Sequence, residues 1–351
     1  MWELTGRVSI GSSPTVRAGT QAGWEGTWWT KQGYDVLLHN LPCPVQGGWA
    51  VREHRCCWGV FWEDTGTGLR RYCFDRYGVR IPEISEEKLF TNCSGFVERK
   101  ELSVSCWADE VAGESLFGLR LRHPRISVEG ENIQKQALTQ VLKRAGCRVE
   151  ERWRPGICSF WLEGGGFSLM ARDERGAVVD AGQLFGVVTL IEMENGGKKI
   201  ALLPQCGVAP RLVAAGHGGN VVQWGEPEWY ELYAALPWLR EGCSAAVRIV
   251  SRMAASGQSL EKLVAATPRF QQWKRECRVE WDRDRLLERL NCGGRARPEG
   301  QGIRLRVGQS WVHIRPAKDG RIQLLAEGAD MEAAEELCDL CVRRLTRRDS
   351  L

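Results

Sequence analysis

Gly302-Ile303-Arg304-Leu305-Arg306 begins the stretch that decides the fold, and Ser310-Trp311-Val312-His313-Ile314-Arg315-Pro316 continues it. Apolar and polar residues alternate in both segments, which predicts two half-buried strands. A third strand is predicted at Leu324-Leu325-Ala326-Glu327-Gly328, and a closing amphipathic helix over residues 331–345. We expect the Arg315-Pro316 pair at the tip of the turn between the second and third strands. These elements predict a small α+β domain.

The N-terminal third of the chain alternates strands and helices. Strands are predicted at residues 7–10, 34–38, 57–62 and 70–75, and helices at 18–32 and 45–54. This strand–helix–strand–helix–strand order predicts a parallel α/β sheet, because parallel strands need long crossover connections.

Two further α/β units follow. The first has predicted helices at 133–145 and 181–193 around strands at 148–153, 157–163 and 167–172. The second has strands at 200–203 and 221–224, and helices at 209–215, 243–255 and 260–265. Residues 101–130 show no clear pattern. A chain of 351 residues has room for two to four domains.

Composition and charge argue against several classes of protein. The net charge of +4, from 48 basic and 44 acidic residues, is small and spread along the chain, so nothing favours a nucleic-acid partner. No apolar run approaches the roughly 18–20 residues that span a bilayer. The N-terminus lacks the basic and apolar segments of a signal peptide. We therefore expect a cytoplasmic protein without a membrane partner.

The chain has 14 cysteines, but their spacing predicts neither a disulfide framework nor a zinc site. Cys56 and Cys57 are adjacent, and adjacent cysteines rarely bridge each other. Cys338 and Cys341 form a C-x-x-C pair on a predicted helix without a second pair, whereas a structural zinc ion needs four ligands. We expect free, mostly buried thiols.

Several short motifs occur in the order that one enzyme family shows. Leu41-Pro42-Cys43-Pro44 matches the family's Leu-Pro-Thr-Pro, and Val8-Ser9-Ile10-Gly11 is similar to its second strand. Residues 172–179 are similar to the turn past its metal loop, and residues 241–268 to the end of its third domain. Arg315-Pro316 begins its phosphate-gripping turn. Because these matches are collinear, the sequence resembles the phosphohexomutases, the phosphoglucomutase/phosphomannomutase family.

The resemblance implies an α/β fold. It comprises three successive phosphohexomutase-type α/β/α domains with mixed, mostly parallel sheets, plus a smaller C-terminal α+β domain. The implied domains are residues 1–100, 101–194, 195–269 and 270–351. The family's opening strand motif is missing from this sequence, so we expect a first domain that is truncated at its start. The sheet edge exposed there is a predicted docking edge for a protein partner.

In the family, a phosphoserine exchanges a phosphoryl group with a sugar phosphate, and three aspartates hold a Mg²⁺ ion. Here Trp62-Glu63-Asp64-Thr65-Gly66 stands in the nucleophile loop, where Thr65 is the central hydroxyl and no serine occurs. Glu163-Gly164-Gly165-Gly166-Phe167-Ser168 stands in the metal loop, so Glu163 is the single remnant carboxylate. One carboxylate does not supply the octahedral oxygen shell of Mg²⁺. The family's sugar-binding loop looks deleted. We expect no catalytic serine and no metal site.

The family's phosphate clamp is better preserved. Arg315-Pro316 is intact, and Lys318 and Arg321 add positive charge, while Ala317 and Asp319 replace hydroxyl donors. Asp319 would repel a phosphate dianion, whereas the Arg315 guanidinium offers a bidentate contact. The resemblance therefore implies Arg315, Lys318 and Arg321 as phosphate-binding residues. The alternative is a solvated, charge-balanced hairpin turn.

Three functions are open on the sequence alone. The first is a catalytically degenerate phosphohexomutase-like protein of carbohydrate metabolism, which binds a hexose phosphate or a partner protein and needs no cofactor. The second is an active phosphoglucomutase/phosphomannomutase, an isomerase by intramolecular phosphotransfer, which uses Thr65 and Glu163 with Mg²⁺. The third is a scaffolding subunit that docks through the tryptophan-rich surface around Trp24–Trp29. Trp24, Trp28 and Trp29 share one predicted helix, where core filling and lid surface are the simpler interpretation.

Overall fold

A computed structural model of the chain divides into two compact units. The first unit is Met1–Ala181 with Tyr233–Lys262, and the second is Gly182–Leu232 with Leu263–Leu351. The structure describes residues 6–81, 95–113, 122–130, 132–202, 207–223, 226–291, 296–299, 302–308, 310–317 and 321–346.

A six-stranded sheet in the order β5-β4-β3-β1-β2-β6 begins the first unit. Its strands are β1 (Arg7–Ser12), β2 (Asp35–Asn40), β3 (Trp58–Asp64), β4 (Leu69–Asp75), β5 (Arg80–Ile81) and β6 (Val97–Arg99). β1 pairs in parallel with β2 and β3, which confirms the prediction from the strand–helix order. β4 pairs antiparallel with β3, because the four-residue connection 65–68 is far shorter than the roughly dozen residues of a crossover.

Two helices of this region, α1 (Val16–Lys31) and α2 (Pro44–Glu53), each contribute to a separate apolar cluster on the sheet. α1 buries Trp29 and Ala22 with Ile10 of β1, while α2 buries Ala50 and Val51 with Phe61 and Phe74. The Thr15 hydroxyl accepts a hydrogen bond from the Ala18 amide and so caps α1.

A five-stranded sheet in the order β11-β10-β9-β7-β8 follows in the same unit. Its strands are β7 (Arg125–Val128), β8 (Arg148–Glu150), β9 (Cys158–Glu163), β10 (Ser168–Arg172) and β11 (Val178–Val179), with helices α3 (Val104–Gly113) and α4 (Asn132–Arg144). The strand expected at residues 148–153 is shorter, because β8 pairs only with the short strand β7. α3 lies in the region whose pattern was unclear, and it buries Trp107 and Val111.

Residues 181–265 contain a two-stranded parallel sheet and a series of helices. The elements are α5 (Ala181–Glu194), β12 (Lys199–Leu202), α6 (Val208–Gly216), β13 (Asn220–Gln223), α7 (Trp229–Ala235), a 3₁₀ turn (Pro237–Leu239), α8 (Gly242–Ser256) and α9 (Leu260–Ala265). α8 belongs to the first unit, where it contacts β9, β10, α3 and α4, and the boundary between the two units falls within α9, after Lys262.

The C-terminal segment is an antiparallel five-stranded sheet in the order β14-β18-β17-β16-β15. Its elements are β14 (Gln271–Arg278), α10 (Arg283–Leu290), β15 (Ala296–Glu299), β16 (Gly302–Val307), β17 (Ser310–Pro316), β18 (Arg321–Gly328) and α11 (Met331–Thr346). The apolar positions of β16, β17 and β18 pack with α10 and α11 in one core, which confirms the predicted three strands and closing helix.

The predicted position of Arg315-Pro316 was wrong. Both residues end β17 instead of forming the tip of the turn, and they pair with Gln323 and Ile322 of β18. The ladder extends past Arg315, because Pro316 still pairs with Ile322.

Each of the four sheets lies inside one of the four implied domains, although the exact boundaries stay a prediction. The cysteines that the structure describes are free, as expected, and most are buried. Among the described helices, none combines the length and apolar character that crossing a bilayer requires.

A buried histidine in the first unit makes stability depend on pH. His39 is 3% exposed, its Nδ1 lies 3.1 Å from the Lys100 carbonyl, and its ring stacks on His54 at 5.4 Å. Burial, with smaller contributions from the nearby charges of His54 and Lys100, lowers the pKa of His39 from 6.5 to about 4. The folded protein therefore holds this imidazole neutral in mildly acidic solution.

We predict a loss of stability between pH 6.5 and pH 4. Above pH 6.5 the ring is neutral in both states, so its contribution is complete there. Below pH 6.5 only the unfolded chain binds the proton, which lowers the free energy of unfolding by roughly 3 kcal/mol at pH 4. His39→Asn keeps a donor for the Lys100 carbonyl, and denaturant unfolding should show a flatter pH profile for it. His123→Asn, at an exposed histidine, should leave the profile unchanged; equal profiles for the two variants would contradict the assignment.

Candidate functional site

The predicted nucleophile loop is a tight hairpin between β3 and β4. The Thr65 amide donates to the Gly68 carbonyl at 2.9 Å, and the Thr65 hydroxyl donates to the same carbonyl at 3.0 Å. The Gly68 amide in turn donates to Thr65 Oγ1 at 3.2 Å. The side chain is exposed at the turn. Its hydroxyl therefore stabilises the hairpin, and no base among its described partners activates it.

The predicted metal loop is also a hairpin, and it joins β9 to β10. Glu163 pairs with Ser168 across the hairpin, and Gly164, Gly165 and Gly166 all have positive φ, at 60°, 81° and 97°. Glycine is needed for three consecutive left-handed residues. Glu163 is exposed, and its Oε1 accepts a hydrogen bond from Trp161 Nε1 at 3.3 Å.

These residues do not fit the Mg²⁺ ion that the resemblance implies for an active enzyme. The hairpin presents one carboxylate, whereas an octahedral site needs about six oxygens. In the described part of the chain, no three His, Cys, Asp or Glu side chains are grouped so that they could hold a metal ion. No hydrogen bond or ion pair of that part joins Thr65 to Glu163.

The tip of the glycine hairpin packs on the N-termini of α2 and α8. The Gly165 carbonyl accepts from the Val45 amide at 3.3 Å, and the Gly166 carbonyl accepts from the Gly242 amide at 2.9 Å. Helix N-termini carry partial positive charge and bind anions. Here a backbone carbonyl of the same chain accepts a hydrogen bond from one amide at each of the two helix N-termini.

A buried carboxylate lies beside the same helix ends. Glu241 is 5% exposed, and it accepts hydrogen bonds from Trp107 Nε1 at 3.2 Å and Ser244 Oγ at 3.1 Å. Burial raises the pKa of Glu241. Burial, together with the Glu241 and Glu63 charges, also raises the pKa of Cys43 to about 12, so this thiol is a poor nucleophile.

Sequence reasoning missed a cluster around Tyr72. Tyr72 Oη donates to Glu63 Oε2 at 2.6 Å and accepts from Arg70 Nη1 at 3.4 Å. The Arg80 guanidinium carbon lies 5.0 Å from the Tyr72 ring centroid and 5.2 Å from that of Phe167. Burial raises the pKa of Tyr72 to about 12, so the phenol is a neutral donor. The signal in the sequence that could have revealed this cluster is the spacing of Arg70 and Tyr72, two residues apart on β4.

The predicted phosphate clamp is a polar network in the second unit. Arg315 Nε and Nη2 donate to Gln323 Oε1 at 3.0 and 2.6 Å, and Gln323 Nε2 donates to Glu276 Oε1 at 3.1 Å. Arg321 Nη1 lies 3.7 Å from Glu276 Oε2. The structure thus joins Arg315 and Arg321 through Gln323 and Glu276. Lys318 lies outside the described residues.

Gly165 provides a direct test of the closed hairpin. An added Cβ there would lie 2.9 Å from Pro44 Cγ and 3.0 Å from Tyr72 Oη, at a φ of 81°. We predict that Gly165→Ala lowers the free energy of unfolding by roughly 2–4 kcal/mol.

Gly164→Ala is the matched control for that substitution. Its φ is also positive, but the nearest atom, Ser168 Oγ, lies 4.0 Å away. Only the backbone cost of roughly 1–2 kcal/mol should remain. Denaturant unfolding of both variants measures the difference, and equal losses would show that the tip does not pack against Pro44 and Tyr72.

Comparisons with known proteins place this geometry in one fold. No protein-family model and no curated protein sequence matches the chain. Solved structures do match it. A phosphoglucomutase/phosphomannomutase family protein from Burkholderia thailandensis has a TM-score of 0.70 and 12% sequence identity, over 97% of this chain and 88% of its own. The phosphoglucomutase parafusin from Paramecium has a TM-score of 0.65 and 12% identity, over 97% of this chain and 87% of its own.

Such low identities establish similarity of fold and leave the chemistry to the residues of this chain. The chain therefore has the mixed α/β fold of these phosphoglucomutase and phosphomannomutase family structures.

Proposed function

We propose that this protein is a degenerate phosphohexomutase of the cytoplasm that binds a hexose phosphate without interconverting it. The glycine hairpin carries the proposal, because it stands in place of a three-aspartate metal loop and its tip packs on α2 and α8. Phosphoryl transfer depends on positioning and on neutralising charge, so losing the metal ligands removes the reaction itself. The Thr65 hairpin supports the same conclusion at the nucleophile.

Phosphate binding is supported by the clamp residues. Arg315 is exposed at the end of β17, and Arg321 begins β18 beside it. The neutral Gln323 amide accepts both Arg315 hydrogen bonds, and a phosphate dianion is a stronger acceptor for a guanidinium. The named activities of the structural neighbours, phosphoglucomutase and phosphomannomutase, favour a hexose phosphate as the ligand.

A scaffolding role is the second candidate, and exposed tryptophans favour it. Trp24 and Trp28, one helical turn apart on α1, are 68% and 39% exposed, while Trp29 is buried. Large exposed apolar side chains commonly mark contact surfaces. In this role the partner would cover α1, and sugar phosphates would not change stability.

We predict no mutase turnover. With glucose 1-phosphate or mannose 1-phosphate, a bisphosphate activator and Mg²⁺, a coupled assay should give no activity above the background without protein. Turnover that persists on repurification and disappears in Thr65→Ala would instead establish the active-enzyme alternative, with Thr65 and Glu163 as its residues.

We also predict that millimolar glucose 6-phosphate raises the Tm of the full chain by about 2 °C or more, because the ligand binds the folded state alone. Arg315→Gln should reduce that shift. Arg283→Gln, at an exposed arginine of α10, is the control and should keep it. No shift in the parent protein would favour the scaffolding role.

A further inference from the structure

The Tyr72 cluster lies at the sheet edge where open α/β folds bind ligands. β1, β2 and β3 are parallel, and ligands of such sheets bind beyond the carboxyl ends of the strands. Glu63 is the penultimate residue of β3, and Arg70 pairs with it across the sheet. The cluster therefore stands at the expected place for a ligand.

Two arginines of this cluster hold positive charge without a paired carboxylate. Arg70 and Arg80 are both exposed. Arg70 donates to the neutral phenol of Tyr72, and Arg80 rests on the rings of Tyr72 and Phe167. Within the described part of the chain, neither guanidinium forms an ion pair. Their hydrogen-bonding capacity is thus available to an anion.

Tyr72 positions both guanidiniums. Its hydroxyl is fixed by Glu63, its ring lies under Arg80, and Phe167 packs beside it with ring centroids 5.7 Å apart. Phe167 belongs to the glycine hairpin, which carries no aspartate. The surface beside the former metal loop therefore attracts anions instead of cations.

One carboxylate oxygen of the cluster is also available. Glu63 Oε2 accepts the Tyr72 hydroxyl, while Oε1 receives no hydrogen bond from any residue that the structure describes. Glu63 would repel phosphate oxygens, but it accepts hydrogen bonds from hydroxyl groups. Arginines for a phosphate and a carboxylate for a hydroxyl together suit a phosphorylated sugar.

We propose that Arg70 and Arg80 form a metal-free anion site, which binds the phosphate of a sugar phosphate while Glu63 accepts a hydrogen bond from a sugar hydroxyl. Two guanidiniums match the charge of a phosphate dianion and bind it in a bidentate manner. This inference rests on the proposed sugar-phosphate binding and adds a site in the first unit, separate in sequence from Arg315.

The test is isothermal titration calorimetry of the full chain with glucose 6-phosphate and with inorganic phosphate. Arg70→Gln and Arg80→Gln should each weaken both ligands roughly tenfold or more. Arg71→Gln is the matched control: Arg71 neighbours Arg70 but pairs with Glu25, and it should bind as the parent does. Glu63→Gln should weaken the binding of glucose 6-phosphate and leave the binding of inorganic phosphate at least as tight. Circular dichroism verifies that each variant is folded.

The outcomes separate the two proposals. If the parent binds glucose 6-phosphate and Arg70→Gln and Arg80→Gln behave like Arg71→Gln, the Arg70–Arg80 site is overturned and the proposed function stands. If the arginine variants lose inorganic phosphate but the parent ignores glucose 6-phosphate, the anion site stands and the sugar assignment is wrong. If the parent binds neither ligand, both proposals fail.

Discussion

The contact between the glycine hairpin and the two helix N-termini organises the first unit. The Gly165 and Gly166 carbonyls accept hydrogen bonds from backbone amides of α2 and α8, so elements far apart in sequence meet at one point. The contact needs a backbone without side chains and three consecutive positive φ angles, which only glycine provides at little cost. Carboxylates on this tip would have to be held near buried Glu241, and like charges in a low dielectric repel strongly. Close packing and a charged metal loop therefore exclude each other here.

The charged side chains around the glycine hairpin also differ from those of a metal loop. Glu163 is turned to Trp161 at the surface, while Arg70 and Arg80 lie on the aromatic pair Tyr72 and Phe167. In the first unit, the positive charge thus comes from arginine side chains at the place where the resemblance implies a bound Mg²⁺ ion. In the second unit, Arg315 and Arg321 are linked through Gln323 to Glu276. Arg70 and Arg315 each donate to a neutral acceptor, Tyr72 or Gln323, which an anion with higher charge density replaces readily.

Much of the fold could be predicted, because it rests on local periodicity. The alternation in β16 and β17 and the helical run of α11 depend on neighbours in sequence, and they folded as expected. The site was less predictable, since it rests on pairings between distant residues. The sequence alone shows that no serine stands in the predicted nucleophile loop, but it does not reveal the strand register that puts Glu63 opposite Arg70. Nor could composition alone reveal that Gly166 caps α8, 76 residues later in the chain.

The four-residue turn at Thr65 limits what a single substitution can change. Its length is set by the ladder between β3 and β4, and Thr65 closes the turn through hydrogen bonds with Gly68. The nucleophile loop of the family that the sequence resembles, Thr-Ala-Ser-His-Asn-Pro, is longer than this turn. A serine introduced at position 65 would adopt the same tight turn geometry, so a point substitution does not create such a loop. Building such a loop would take an insertion together with new metal ligands, because neither change alone supplies the charge neutralisation that phosphoryl transfer needs. The turn therefore separates this chain from the family's reaction by several simultaneous changes, and no single substitution at position 65 bridges that difference.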